Sequence, residues 1–141
     1  MSNKIIMLHS TICFATQRHR KMFNIESARI CFEKYARKAL SENGIEVHCI
    51  SFPTPYAVAI EVTAPANYSA NQIARIAKKA VKDPLITRFS AFQNMRYLWR
   101  KGVFMELGGI DELDKGSLMR FLSDQKQPKD SNVCANKGEE L

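Results

Sequence analysis

Apolar and polar residues alternate, then recur at helical spacing, then alternate again along this chain, and each change of period marks an element. Residues 4–16 have the apolar and β-branched composition of a strand and end in the polar run Gln17-Arg18-His19-Arg20-Lys21. Asn24 is placed to cap a helix running to residue 43. Its apolar positions Ala28, Cys31, Phe32, Tyr35, Ala36, Ala39 and Leu40 recur every three to four residues, and Gly44 supplies the stop. Glu33 and Arg37 stand one turn apart on its outer side. Residues 45–52 and 56–63 predict two strands joined at Pro53-Thr54-Pro55, because proline cannot donate to a central ladder.

Ser69 with Gln72 forms a capping box that opens a second helix, and Asp83-Pro84 predicts its end near Lys82. Residues 84–94 are expected as a loop with a short turn, and 95–107 as a long strand broken by Gly108-Gly109. Asp111 is expected to cap a last helix to about Gln125, weakened by Gly116. The order strand, helix, strand, strand, helix, strand predicts an α+β fold, the ferredoxin-like split βαββαβ. Its antiparallel sheet has helices on one face, and a C-terminal helix is added. One domain spans residues 1–125, and the polar stretch 126–141, without periodicity and holding Pro128 and Cys134, is expected to be disordered.

Charge adds a partner to this picture. The net charge of +7 is concentrated in two blocks: residues 1–25 hold four basic and no acidic side chains, and 68–110 hold eight basic and two acidic. Two basic blocks in a small domain predict a polyanionic partner. Arg75, Lys78, Lys79 and Lys82 fall at i, i+3, i+4 and i+7, a cationic stripe opposite Ile73, Ile76, Ala77, Ala80 and Val81. Like charges at that spacing repel by a few tenths of a kcal/mol per pair, so the stripe predicts a phosphate-facing surface over a merely solvated one. Arg18, Arg20 and Lys21 follow a strand end and form a second candidate grip. Arg96, Arg100 and Lys101 lie among Tyr97 and Trp99, where an aromatic ring could stack on an unpaired base or serve the core.

Other chemistries find less support. The cysteines show no C-x-x-C spacing, and three of the four (Cys13, Cys31, Cys49, Cys134) fall where core residues are expected. The histidines His9, His19 and His48 do not supply the close pairs a zinc site needs. No metal and no cofactor are expected. No apolar run approaches the roughly 18 residues that span a bilayer, so a cytoplasmic protein without membrane contact is the expectation.

Several stretches carry a resemblance. Phe14-Ala15-Thr16-Gln17-Arg18-His19-Arg20-Lys21 is similar to a Phe-x-Thr-Lys-Tyr-Arg-Arg-Lys motif. Tyr68-Ser69 through Lys78 is similar to a Tyr-Ser-x-x-Gln helix with a following lysine. Trp99-x-x-Gly102-x-Phe104, followed by Gly109, is similar to a Trp-x-x-Gly-Tyr-Phe strand ending in glycine. Leu118 to Gln125 is similar to a helix that carries a tyrosine and ends in glutamine. Together, over residues 8–125, the chain resembles the small single-tyrosine transposases of the insertion-sequence 200-like family, which are His-hydrophobe-His nucleases.

The resemblance implies a homodimer that recognises hairpins of single-stranded DNA, cuts with a metal held by two histidines, and attacks phosphorus with a tyrosine. Here the two histidine positions read Pro55 and Ala57, and the tyrosine position reads Phe121. A phenylalanine ring has no hydroxyl with which to attack, and neither proline nor alanine offers a metal donor. The expectation is therefore a chain that is not an enzyme: a catalytically inactive relative that binds structured RNA or single-stranded DNA hairpins in a regulatory role. Two alternatives stand beside it. One is a homodimeric protein-interaction module built on the altered pocket around Tyr56, Phe92 and Phe121. The other is residual nuclease activity through His9, His48 or Glu61.

Overall fold

Among the described residues four antiparallel strands form the sheet, in the spatial order β2-β3-β1-β4. They are β1 (Met7–Ala15), β2 (Glu46–Thr54), β3 (Ala57–Pro65) and β4 (Phe104–Leu107), and the helices are α1 (Glu26–Glu42), α2 (Ala70–Arg88) and α3 (Lys115–Lys126). The structure, a computed structural model, describes residues 6–89 and 98–126, with side chains to 123. The expected strand 4–16 is thus described only from residue 6. Arg96, Tyr97, Phe92, Cys134 and nearly all of the segment 126–141 lie outside the described residues. The ferredoxin-like split pattern with an added C-terminal helix is the observed fold.

Alternation along β1 decides which layer each residue serves. Ile12 and Phe14 face α1 and α2 in the main core, where they meet Phe32, Leu40, Ile73, Val81 and Leu85. Cys13 and Ala15 face the opposite side, under α3. A large side chain fully buried like Phe14 or Phe32 contributes about 2–3 kcal/mol. Helix α1 ends as its sequence predicts: Gly44 has φ +75, its N–H donates to the Ser41 carbonyl, and Ile45 N–H donates to the Leu40 carbonyl. That is a Schellman closure, which favours glycine at the left-handed position.

Several boundaries differ from the sequence reading. The α1 N-cap is Ile25 rather than Asn24, which sits in a short turn over Met22–Asn24 whose Met22 and Phe23 are buried. The β2–β3 turn falls at Pro55-Tyr56, and Pro53 lies within β2, an edge strand that tolerates its missing N–H. Cys49 is exposed because the β2–β3 register shifts between Val47 and Cys49, leaving Cys13 and Cys31 as the buried thiols. Helix α2 does not stop at Asp83-Pro84 but continues to Arg88 with Pro84 inside it. Leu85 is fully buried, and that burial offsets the hydrogen bond the proline removes. Asp111 lies in a short turn, Ile110–Glu112. At the start of α3, Asp114 accepts instead from the Gly116 N–H at 3.1 Å and the Ser117 hydroxyl at 2.7 Å.

The expected long strand over 95–107 is interrupted in its described part. Trp99 bridges Thr16 and Phe104 pairs with Cys13, so two residues of β1 face four, Arg100 to Val103. Gly102, at φ +104, makes this bulge possible. The bulge opens the space described next.

Candidate nucleic-acid interface

The two basic blocks, distant in sequence, meet at one end of the sheet. Arg100 N–H donates to the Ala15 carbonyl at 2.9 Å, and Gln17 N–H donates to the Leu98 carbonyl at 3.0 Å, so Leu98–Arg100 lies against the end of β1. The run Arg18, Arg20 and Lys21 leaves from that same end, and all three are exposed. Helix α2 is drawn in by Lys78, whose Nζ donates to the Arg100 carbonyl at 3.2 Å and lies 5.1 Å from the Phe14 ring centroid.

Between α2 and the bulge is a cleft of about 290 Å³ lined by Asn71, Arg75, Lys78, Lys101, Gly102 and Val103. Arg75, Lys79, Lys82 and Lys101 are exposed, whereas Lys78 and Arg100 are half-buried. Lys78 therefore departs from the expected row of four solvent-facing cations: its stem packs over Phe14 and its head is tied to the bulge. Burial pushes the Lys78 ammonium below its ordinary pKa and has the same direction on Arg100. Lys79 and Lys82 stand on α2 outside the cleft lining.

Trp99 is half-buried and packs against the core. Its ring packs at 5.1 Å from Phe14, 5.9 Å from Phe32 and 6.2 Å from Phe23, within the aromatic part of the core. Its Nε1 is buried without a hydrogen-bond partner among the described residues.

The opposite face holds the positions where the resemblance puts catalysis. Ala57 pairs with Ala15, and Ala59 with Cys13, giving a floor of small side chains. Leu118 and Leu122 of α3 close onto that floor, with Tyr56, Phe104 and Phe121 around them. Ala57 and Leu122 are completely buried. The Pro55 carbonyl accepts from Phe23 N–H at 2.8 Å, and Phe121 packs on Phe104 with ring centroids 5.6 Å apart.

A pair of residues fastens this arrangement. Arg18 and His19 both adopt left-handed backbone, φ 57 and 52. The His19 ring stacks on Tyr56 at 3.9 Å, and its Nε2–H donates to the Leu122 carbonyl at 3.0 Å. Sequence reasoning did not find this latch, because nothing in a basic run signals two residues in that conformation.

The residues present do not fit a metal here. Pro55 and Ala57 offer no side-chain donor, and burial, aided by Glu106, pushes the neighbouring Cys13 thiol up to about 12, so it is protonated at neutral pH. Tyr56 is turned into the His19 stack. Among the described residues no group of three or more His, Cys, Asp or Glu is arranged to hold a metal ion.

Glu61, on the same face, lies four residues along β3 from Ala57, about 13 Å at strand rise. It accepts from His9 Nε2–H at 2.6 Å and from Ile110 N–H at 3.2 Å, contacts that hold its carboxyl below the usual carboxylate range. His48 Nε2 is hydrogen-bonded to Thr63 Oγ1 at 2.6 Å. Glu61 thus secures the turn after Gly108-Gly109 to the sheet.

No family model matches the chain, and no curated protein matches it in sequence. Solved structures do share its fold. A putative transposase from Deinococcus radiodurans R1 superposes with a TM-score of 0.72 at 14% identity, over 89% of this chain and 95% of that one. A REP-associated tyrosine transposase bound to a REP hairpin gives a TM-score of 0.49 at 12% identity, over 85% of this chain and 66% of that one. Among the described residues no helix is long and apolar enough to cross a membrane. The first of these likenesses establishes a common fold along nearly the whole length of both chains.

Proposed function

We propose that this protein is a catalytically inactive relative of the single-tyrosine transposases that binds structured nucleic acid, RNA or single-stranded DNA hairpins, as a cytoplasmic regulator. The observation that carries this reading is the meeting of the two basic blocks at one end of the sheet, where backbone hydrogen bonds join Gln17 to Leu98 and Arg100 to Ala15, and Lys78 ties α2 to Arg100. The fold shared with the Deinococcus protein supports the transposase relationship. Loss of cutting is supported by Ala57 and Phe121, whose side chains are part of an apolar layer or its rim, and by Pro55 in the turn before β3. Without a donor for a metal or a hydroxyl for attack, neither charge stabilisation nor a covalent phosphotyrosine link is available at those positions.

A salt series tests the reading. Mobility shifts with an RNA hairpin, a DNA hairpin and unstructured strands should show hairpin binding that weakens with log salt at a slope of about −4 to −5 for about five phosphates neutralised on duplex, and less on single strands. Absence of binding to every probe at low salt overturns it. A second reading, a homodimeric protein-interaction module, draws on β4: it is an edge strand whose Met105 and Leu107 are 43% and 65% exposed. Dimerisation with no hairpin binding would favour that reading; dimerisation with binding joins the two.

A further inference from the structure

The cationic surface is not uniform. Lys79 and Lys82 are exposed on α2, but Arg75, Lys78 and Lys101 converge on one cleft, and among the described residues no carboxylate lines it. We propose that this cleft is a discrete phosphate site that takes one backbone phosphate of a bound nucleic acid, a proposal that rests on the functional reading above and narrows it to one place.

Size sets the scale of the ligand. About 290 Å³ is at the lower limit of small-ligand pockets, room for a phosphate with part of its sugar and far too little for a duplex. The donors suit an anion. Arg75 brings a planar fork that matches two phosphate oxygens, and Lys101 and Lys78 bring ammonium groups. Lys78 has three N–H donors, of which one is committed to the Arg100 carbonyl. Gly102 lacks a side chain at the cleft wall, so a ligand can approach the backbone there.

The energetic case follows from placing like charges together. Three cations around one cavity repel one another, and Lys78 is further disfavoured by burial. An entering phosphate attracts all three cations and favours the charged ammonium, offsetting both costs. Lys78 also has a structural role, since its bond to Arg100 holds the bulge against α2. Arg75 and Lys101, being exposed, are the better residues to remove, because their loss leaves the core intact.

The test compares equal charge losses at two places on the full chain. Arg75→Gln with Lys101→Gln empties the cleft; Lys79→Gln with Lys82→Gln removes the same charge beside it. Fluorescence anisotropy with labelled RNA and DNA hairpins should show a loss of roughly tenfold or more for the cleft pair and no more than about threefold for the control pair. Equal losses mean diffuse attraction and overturn the cleft, while hairpin binding itself stands.

Backbone amide shifts give the second readout, and they separate this proposal from the functional reading. Hairpin addition should move the amides of Asn71, Gly102 and Val103 in the wild-type chain and not in the cleft variant. Shifts with inorganic phosphate or a nucleoside monophosphate, and none with either hairpin, overturn the polymer as the source while the phosphate chemistry stands. Hairpin binding that leaves those amides unmoved overturns the cleft alone, and no response to any probe overturns both.

Discussion

Phe14 and Ala15 are adjacent in β1, yet the two faces they serve are opposites. Above Phe14 lies Lys78, and beyond it a charged, open cleft. Beside Ala15 lies Ala57, then the leucines of α3, an apolar layer that also holds the protonated Cys13 thiol and is flanked by Tyr56 and His19. One step of strand alternation separates a surface suited to hold an anion from one that excludes water. On the proposed function, binding and cutting belong to different layers of this fold, so one could be lost while the other persists. Nothing about the helix-side cleft requires a donor at Pro55, Ala57 or Phe121.

If the second face is truly closed, Cys13 should be nearly inert. With its pKa near 12, its thiolate fraction at pH 8 lies roughly a thousandfold below that of an ordinary exposed thiol. Alkylation of the native chain, followed by peptide mass spectrometry, should label exposed Cys49 first and Cys13 only through unfolding. Similar rates for the two would break the contrast between the faces.

Removing the cover is the next largest perturbation. Leu122→Ala leaves a cavity over Ala57 and should cost about 2–4 kcal/mol in urea unfolding. A loss under about 1 kcal/mol would make α3 a loosely attached arm instead of a lid on the layer. His19→Ala removes the Tyr56 stack and the bond to the Leu122 carbonyl and should cost about 1–2 kcal/mol. The same variant should change hairpin affinity by less than about threefold, which sets an upper bound on the coupling between the two faces.

The smallest effect is one of pH. Because Glu61 has a folded pKa below its unfolded one, the folded state favours the carboxylate, and its contribution is complete at neutral pH. That contribution fades as pH falls below the ordinary carboxyl range and is gone below the folded pKa. Comparing wild type with Glu61→Gln, the stability difference should shrink on acidification, by about 1 kcal/mol at most. A difference that grows on acidification would reverse the assigned role of the His9 and Ile110 contacts.

The local rules written in this chain carried much of the fold. Ser69 and Gln72 make the capping box their spacing promises, and Gly44 closes α1. They failed where burial outweighs a local preference. Pro84 should end a helix, but Leu85 beyond it is core. The site was legible by composition more than by geometry. A row of cations at helical spacing cannot say that Lys78 turns inward, since that depends on Phe14 and on a bulge from another part of the chain. Gly102 in an otherwise strand-like run was the available signal for that bulge. Trp99 shows the converse: its basic neighbours suggested a platform for bases, and only the positions of Phe14, Phe23 and Phe32 commit it to the interior.

The turn at Arg18-His19 joins the two faces thermodynamically. Two successive non-glycine residues in left-handed backbone cost of order 1–3 kcal/mol each, a cost met in part by the His19 contacts to Tyr56 and Leu122. A ligand that grips Arg18 in this conformation therefore stabilises the docking of α3 by the same coupling free energy with which docked α3 favours that ligand. Such reciprocity turns a strained dipeptide into a place where occupancy of the basic surface and the integrity of the closed layer can be read from each other.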